Sequence, residues 1–311
     1  QRAMNLHQLR VLSTLIDRGS YTSAAEHLHL TQPAVSQQIK ALETSCGVRL
    51  VERANNRVVP THAGEVLHKY ADSILHLEEE ALHALADLRV GNRGRFVVGA
   101  NTTGGMYIVP PLIAAYRELN QDTEIILRID HTEVIVSQIA ARSLDVGFVG
   151  GHITDRRFNV EPVALDRLVV IAAPSHPITL LPRITISDIA QEPFILARYG
   201  SSTRRLIEGK FKDHGVAMRI GMEQGGTEDI KKAVESGLGI AMVSQWSVLR
   251  EVGAGYLRQL EVEGWDLPRN YEMITHKSRY FSPAVESFLT FAREEAPKLK
   301  FADVLRRPVR V

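Results

Sequence analysis

The sequence predicts a multidomain chain: a small α-helical head with a winged helix-turn-helix, one long linker helix, and a two-lobed α/β domain. Three observations predict it. Up to Pro60, apolar residues recur at helical spacing with short breaks and then give way to a hairpin pattern. From Thr61 to Val90 the helical period runs on with no Gly or Pro after Gly64. Beyond Arg95, short β-branched runs alternate with helical stretches, the pattern of βαβ units and a parallel sheet.

In the head, Leu6, Leu9, Leu12, Leu15 and Ile16 form one helical stripe that stops at Gly19. Ser20 is a good cap for a second helix through Ala24, Ala25 and Leu28, whose small pair admits close packing. After the short break His29-Leu30, Thr31 caps a third helix with Pro33 in its first turn and Val35, Ile39 and Leu42 as its buried stripe. Two helices joined so tightly cross steeply, and the second can enter a major groove of double-stranded DNA. Its outer face carries Gln32, Ala34, Ser36, Gln37 and Lys40, short or amide side chains suited to base edges and phosphates. An ordinary solvated helix face would read the same way. The next segment tips the balance, because Leu50-Val51 and Val58-Val59 read as strands about an Asn55-Asn56 turn, with Arg53 and Arg57 beside the tip where a wing meets phosphates or the minor groove. With Ser23, Thr31 and Pro33 these residues form the candidate DNA-contacting set.

The linker helix places Leu67, Tyr70, Ile74, Leu77, Ala81, Ala84 and Leu88 at alternating three- and four-residue steps, an a/d seam that predicts a dimer. Gly91-Asn92-Arg93-Gly94 then reads as a flexible junction. The expected domains are residues 1–61, 62–91 and 92–311, the last divided into lobe I (about 92–163 and 269–311) and lobe II (about 164–268).

In the C-terminal part, strands are expected at 96–100, 124–129, 146–149, 168–173, 194–197, 218–222, 240–243 and 271–275, and helices at 109–119, 134–141, 203–214, 227–236 and 283–294. Two such lobes bring strand ends and helix N-termini to a central cleft, where free backbone N–H groups favour an anion. Four loops fit that position: Asn101-Thr102-Thr103-Gly104-Gly105, Gly150-Gly151-His152, Gly200-Ser201-Ser202-Thr203 and Gln224-Gly225-Gly226-Thr227. Simple capping by Ser202, Thr203 and Thr227 explains any one of them alone; four together point to a small-molecule effector, an anion or small metabolite.

The run Gly19 to Glu43, followed by Gly47-Val48-Arg49-Leu50 and Thr61-His62-Ala63-Gly64, resembles the helix-turn-helix signature of LysR-type transcriptional regulators. Val51-Glu52-Arg53 departs from it where the family usually has Phe before the acidic-basic pair. The C-terminal half resembles that family's effector-binding domain, itself similar to type II periplasmic binding proteins. The resemblance implies ligand contacts at Asn101, Thr102, Thr103, Ser201, Ser202, Thr203 and Thr227, with Gly150 on the hinge side, and Gln224 joins the candidates through its loop. It also implies a homo-oligomer, a dimer through the linker helix that assembles into a tetramer. Gly200 to Arg204, Thr227 to Lys231 and His276 to Tyr280 look most like the branch regulating sulfur assimilation and carbon fixation.

Composition narrows the alternatives. The 311 residues are 44% hydrophobic with 37 basic and 36 acidic side chains, so only the local basic bias of the head suggests nucleic acid. No apolar run approaches the roughly 18 residues of a membrane span, and the N-terminus lacks a secretory pattern, so a cytoplasmic location is expected. The single cysteine, Cys46, permits no intrachain disulfide and is expected as apolar core filler. No Gly-x-Ser-x-Gly elbow, HExxH or phosphate-binding Gly-Lys motif is present, which argues against an enzyme. His62, His68, His76 and His83 read as a solvated helix face rather than a metal site, and no cofactor or metal is expected. A transport-type solute-binding protein would share the C-terminal fold, but the helix-turn-helix argues against it.

Overall fold

The computed structural model describes residues 4–54, 57–87, 94–151 and 153–298. The chain divides into two compact units, Gln1–Gly91 with Ala140–Ser143, and Asn92–Ile139 with Leu144–Val311.

In the first unit, α1 (Leu6–Arg18) opens with a capping box: the Asn5 side chain accepts from the Gln8 N–H at 2.9 Å and Gln8 returns the bond. It closes on Gly19, whose φ of +63° is a left-handed conformation that glycine adopts without penalty. Helices α2 (Tyr21–Leu28) and α3 (Gln32–Cys46) follow. Ser20 precedes α2 but its side chain makes no capping bond, whereas Thr31 caps α3 by accepting from Ala34. Leu12, Leu15, Ala24, Val35, Ile39, Leu42, Leu50 and Val58 close one core. Strands β1 (Val51–Ala54) and β2 (Arg57–Pro60) pair antiparallel down to Ala54 opposite Arg57; the expected turn Asn55-Asn56 lies outside the described residues. Cys46 is exposed and not core, because it falls one turn past Leu42, beyond the buried stretch of α3.

Helix α4 (His62–Asp87) starts hard against the hairpin. A Cβ on Gly64 would sit 1.9 Å from the Leu50 carbonyl oxygen, so this approach requires glycine. The predicted seam splits on α4. Leu67 packs on the head core and Ile74 lies beside Met4, Leu6 and Leu9, so these two face α1. Tyr70, Leu77 and Ala81 stay exposed, joined by Val66, Leu82 and Leu85. Of the remaining seam positions, Leu88 lies outside the described residues, as do Ala84's side chain and Gly91 to Arg93 of the expected junction.

The second unit runs β3 (Arg95–Asn101), a π-helical turn (Gly104–Ile108), α5 (Val109–Leu119), β4 (Glu124–Asp130), α6 (Thr132–Ala140), β5 (Val146–Gly150) and β6 (Phe158–Ala172). It continues with α7 (Ile186–Gln191), β7 (Phe194–Ala197), α8 (Ser202–Asp213), β8 (Ile220–Gln224), α9 (Thr227–Glu235), β9 (Ile240–Ser244), α10 (Leu249–Gly253) and β10 (Arg258–Leu260), then returns through β11 (Pro268–His276) to α11 (Pro283–Glu295). Strand order is β4-β3-β5-β11-β6-β9-β7-β8, with β10 on β6. Within each lobe the βαβ pairs are parallel, as expected, but β6 and β11 run antiparallel to their neighbours, so the sheet is mixed rather than parallel. These two strands carry the chain from one lobe to the other and back.

Lobe I closes on Phe96, Tyr116, Phe148 and, from the C-terminal return, Met273, Phe288 and Leu289. Lobe II has two apolar faces, one around Phe194, Phe211 and Met242, the other around Ile171, Ile195 and Val234. Strand β6 spans 15 residues where only 168–173 are expected. Pro162 sits where the β6–β11 register shifts between Tyr271 and Glu272, a bulge that tolerates proline's missing N–H. No helix among the described residues is long and apolar enough to cross a membrane.

Candidate nucleic-acid interface and interlobe cleft

On α3, the outer face presents Gln32, Pro33, Ser36, Gln37 and Lys40 to solvent, with Thr31 exposed at its start and Ala34 half-buried. Ser23 on α2 is half-buried beside the buried pair Ala24-Ala25. Arg53 and Arg57 are both exposed at the hairpin end. All ten candidates thus belong to one compact head, and none is consumed by its core.

A cavity of about 460 Å³ opens between the lobes of the second unit, within the size range of small-ligand sites. Asn101, Thr102 and Thr103 line it from lobe I; Ser201, Ser202, Thr203 and Thr227 line it from lobe II. The first turns of α6, α8 and α9 and the turn leading into α5 all meet there. The capping explanation accounts for little of this. Ser201 caps α8 through the Arg204 N–H, and Asn101 accepts from Gly104. Yet α9 has Gly226 at its cap with no side-chain bond, so Thr227 caps nothing, and the Thr102, Ser202 and Thr227 hydroxyls make no hydrogen bond among the described residues. Two candidates do not line the cleft. Gly150 is covered by the Tyr271 ring and the Asn101 amide, and the Gln224 amide turns to the Met222 sulfur at 3.2 Å. His152, in the expected loop Gly150-Gly151-His152, lies outside the described residues.

The sequence reading misses the cleft's cations. Arg269, on β11, reaches the floor with its side chain 3% exposed; it donates to Asp166 at 2.7 Å, to the Thr203 hydroxyl at 2.8 Å and to Tyr271 at 3.3 Å. Asp166 faces it across the β6–β11 pair and also accepts from Ser244, so the buried charge is neutralised and fixed. Arg269 stands near the start of β11 beside the polar residues Asn270 and Glu272, so the strand's own sequence gives no signal for it. Arg198, Arg204, Arg205 and His131 join the lining. Arg204 is committed to Glu208 and Glu223 at 2.7 and 2.6 Å. Arg205 reaches across the cleft to Glu133 on α6 at 2.8 Å.

A second polar bridge ties the lobes together away from that pair. Lys231 on α9, its side chain 2% exposed, lies 2.6 Å from Glu251, 2.9 Å from Glu228 and 3.2 Å from the Tyr107 hydroxyl of lobe I, and donates to the Ser247 carbonyl at 2.7 Å. Tyr107 donates to Glu228. Burial, then Glu228, pushes the Tyr107 hydroxyl up to about 12, so it stays protonated. Burial works against the Lys231 charge, but its hydrogen bonds to Glu251 and Glu228 prevail and hold it above the ordinary lysine range.

Residues 6–65 match the family model described as a bacterial regulatory helix-turn-helix protein of the lysR family, and residues 89–297 match the LysR substrate binding domain. A probable RuBisCO transcriptional regulator from Cyanophora paradoxa is 36% identical over 306 residues, 95% of this chain and 94% of that protein. The full-length CbnR complexed with its target DNA has TM-score 0.70 and 21% identity over 93% of this chain and 99% of its own. The Synechocystis PCC6803 CcmR regulatory domain in complex with 2-PG has TM-score 0.60 and 26% identity over 64% of this chain and 96% of its own.

Proposed function

This chain belongs to the LysR family of bacterial transcriptional regulators, and from that premise we propose that its interlobe cleft binds a small anionic metabolite that controls how its heads hold DNA. It is a DNA-binding regulator and not an enzyme. The observation that carries the anion reading is the meeting of four helix starts in one cavity whose Thr102, Ser202 and Thr227 hydroxyls are not used up by capping. The 2-PG bound by the related CcmR domain supports it. Asn101, Thr102, Thr103, Ser201, Ser202, Thr203 and Thr227 are the proposed contacts; Gly150 and Gln224 shape the walls from behind.

On the head, Gln32, Ala34, Ser36, Gln37 and Lys40 are the proposed groove-facing residues, Arg53 and Arg57 the phosphate contacts of the wing, and Ser23, Thr31 and Pro33 their neighbours at the backbone. The likeness in fold to CbnR, solved with its target DNA, supports DNA as the partner of the head. The exposed apolar residues Val66, Tyr70, Leu77, Leu82 and Leu85 of α4 support a homodimer through this helix, and two such pairs a tetramer. The domain division is the one read from the sequence, 1–61, 62–91 and 92–311, and the chain acts in the cytoplasm. Its relatives support control of a carbon-fixation operon. The effector acts by binding one of two pre-existing assemblies better than the other.

Thermal denaturation of the full chain against sulfate and phosphoglycerate tests the cleft. A saturable, dose-dependent rise in melting temperature is expected, absent in Thr102→Ala, with operator binding unchanged. No shift with either anion would sink the anion assignment, and loss of DNA binding together with the shift would count against separate sites.

A further inference from the structure

We propose that Glu133 is an intramolecular competitor of the effector: its carboxylate binds the Arg205 guanidinium that an anion in the cleft would otherwise take. The inference rests on the anion reading above and concerns which charged group answers the ligand.

Of the four arginines that line the cavity, Arg198 is exposed and makes no ion pair among the described residues, and two others are committed. Arg204 is 8% exposed between Glu208 and Glu223, and Arg269 is 3% exposed against an Asp166 with no exposure at all. Removing either charge from its partner would leave a buried ion uncompensated, so neither can be released cheaply to a ligand. Arg205 differs in both respects. Its partner sits on the opposite lobe, and the two side chains are 60% and 54% exposed. Exposed pairs of this kind are weak and exchange readily with other anions.

The geometry favours exchange at that position. Arg205 also donates to the Gly200 carbonyl at 3.1 Å, which holds the guanidinium at the cavity rim whichever anion it faces. Ser201, Ser202 and Thr203, the hydroxyl cluster just before it, line the same cavity, as does Glu133. Partial burial raises the Glu133 carboxyl, and Arg205 outweighs this and holds it below the usual range, so it is ionised at neutral pH. A phosphate or carboxylate held by those hydroxyls competes with Glu133 for the Arg205 guanidinium. Binding then replaces a direct lobe-to-lobe ion pair with one that passes through the ligand, and Glu133 sets the concentration at which this happens.

Calorimetric titration of phosphoglycerate and of inorganic phosphate into the full chain tests this with Glu133→Gln, Arg205→Gln and the double variant. Glu133→Gln should bind about two- to five-fold more tightly, the worth of an exposed ion pair. Arg205→Gln should bind about ten-fold or more weakly through loss of a charge-assisted bond. Competition for one guanidinium requires that the double variant match Arg205→Gln. If Glu133→Gln still tightens binding in the Arg205→Gln background, the effect is general electrostatics and the competitor is disproved. Equal or weaker binding by Glu133→Gln, with the parent chain binding normally, overturns the competitor and leaves the anion reading intact. Binding of neither anion by any of the four proteins removes both.

Discussion

At the scale of single residues, Lys231 and His68 show how a poorly hydrated charge depends on its neighbours. The Lys231 ammonium, 2% exposed, depends on Glu251, Glu228, Tyr107 and a carbonyl for its solvation. Lys231→Met removes the cation and leaves Glu251, 19% exposed, without its counter-charge, so unfolding of the regulatory unit should be easier by about 3 kcal/mol, read by urea denaturation. Tyr107→Phe deletes the hydroxyl that bonds both Glu228 and Lys231 and should cost about 2 kcal/mol on the same measurement. His68 of α4 is the second case, 3.4 Å from Asp17 of α1 and 3.3 Å from Asp72, which in turn accepts from Ser13 at 2.6 Å. Asp72 raises the pKa of His68 above its ordinary value, outweighing burial. A raised folded-state pKa contributes stability that is complete below the unfolded value of about 6.5 and is lost as pH climbs through the folded one. The stability gap between the parent chain and His68→Gln should therefore narrow as pH rises above about 6.5. A gap that widens with pH would show that the pairing is absent.

Among elements, α3 and the hairpin separate sequence-reading contacts from positioning ones. Arg57→Ala should weaken operator and unrelated DNA alike and lower the salt-dependence slope by about 1, whereas Gln37→Ala should lose discrimination between sequences more than overall affinity. Fluorescence anisotropy over a salt series distinguishes them. The head is legible in the sequence because each of its signals is local: caps, a stripe of apolar positions, glycine stops. The α4 seam is only half legible. A period of three and four residues marks which positions are apolar but not which neighbour covers them, and α1 takes Leu67 and Ile74. Leu77→Glu, on the exposed side, should shift the mass measured by light scattering toward monomer without unfolding the head. The hydroxyl loops of the cleft are likewise visible in sequence, since hydroxyls at helix starts are a local pattern. Arg269, Arg205 and Glu133 are not, because their meaning comes from strand pairing and from a neighbour in the other lobe, 66 and 72 residues away respectively for Thr203 and Glu133. Helices α7 and α10 and strand β10 escape for a different reason: at six, five and three residues they are too short to display a period.

For the whole molecule, lobe II is an insertion into lobe I, entered along β6 and left along β11. Lobe motion is therefore confined to that strand pair and restrained by two lateral ties, Glu133–Arg205 and Tyr107–Glu228–Lys231. The double variant Tyr107→Phe, Arg205→Gln should speed amide exchange in residues 162–166 and 268–272 while leaving the cores of both lobes protected. The same interruption dictates an order of events on the ribosome. Head and lobe II are encoded contiguously and can close as they emerge, but lobe I must wait. Met273, Phe288 and Leu289, which complete its interior, come after lobe II in the chain, so β5 is left with the edge that β11 will occupy uncovered while the whole of lobe II is translated. A nascent chain halted before β11 would display that edge, and one halted before α11 the apolar floor beneath it, the features by which chaperones and proteases recognise unfinished protein.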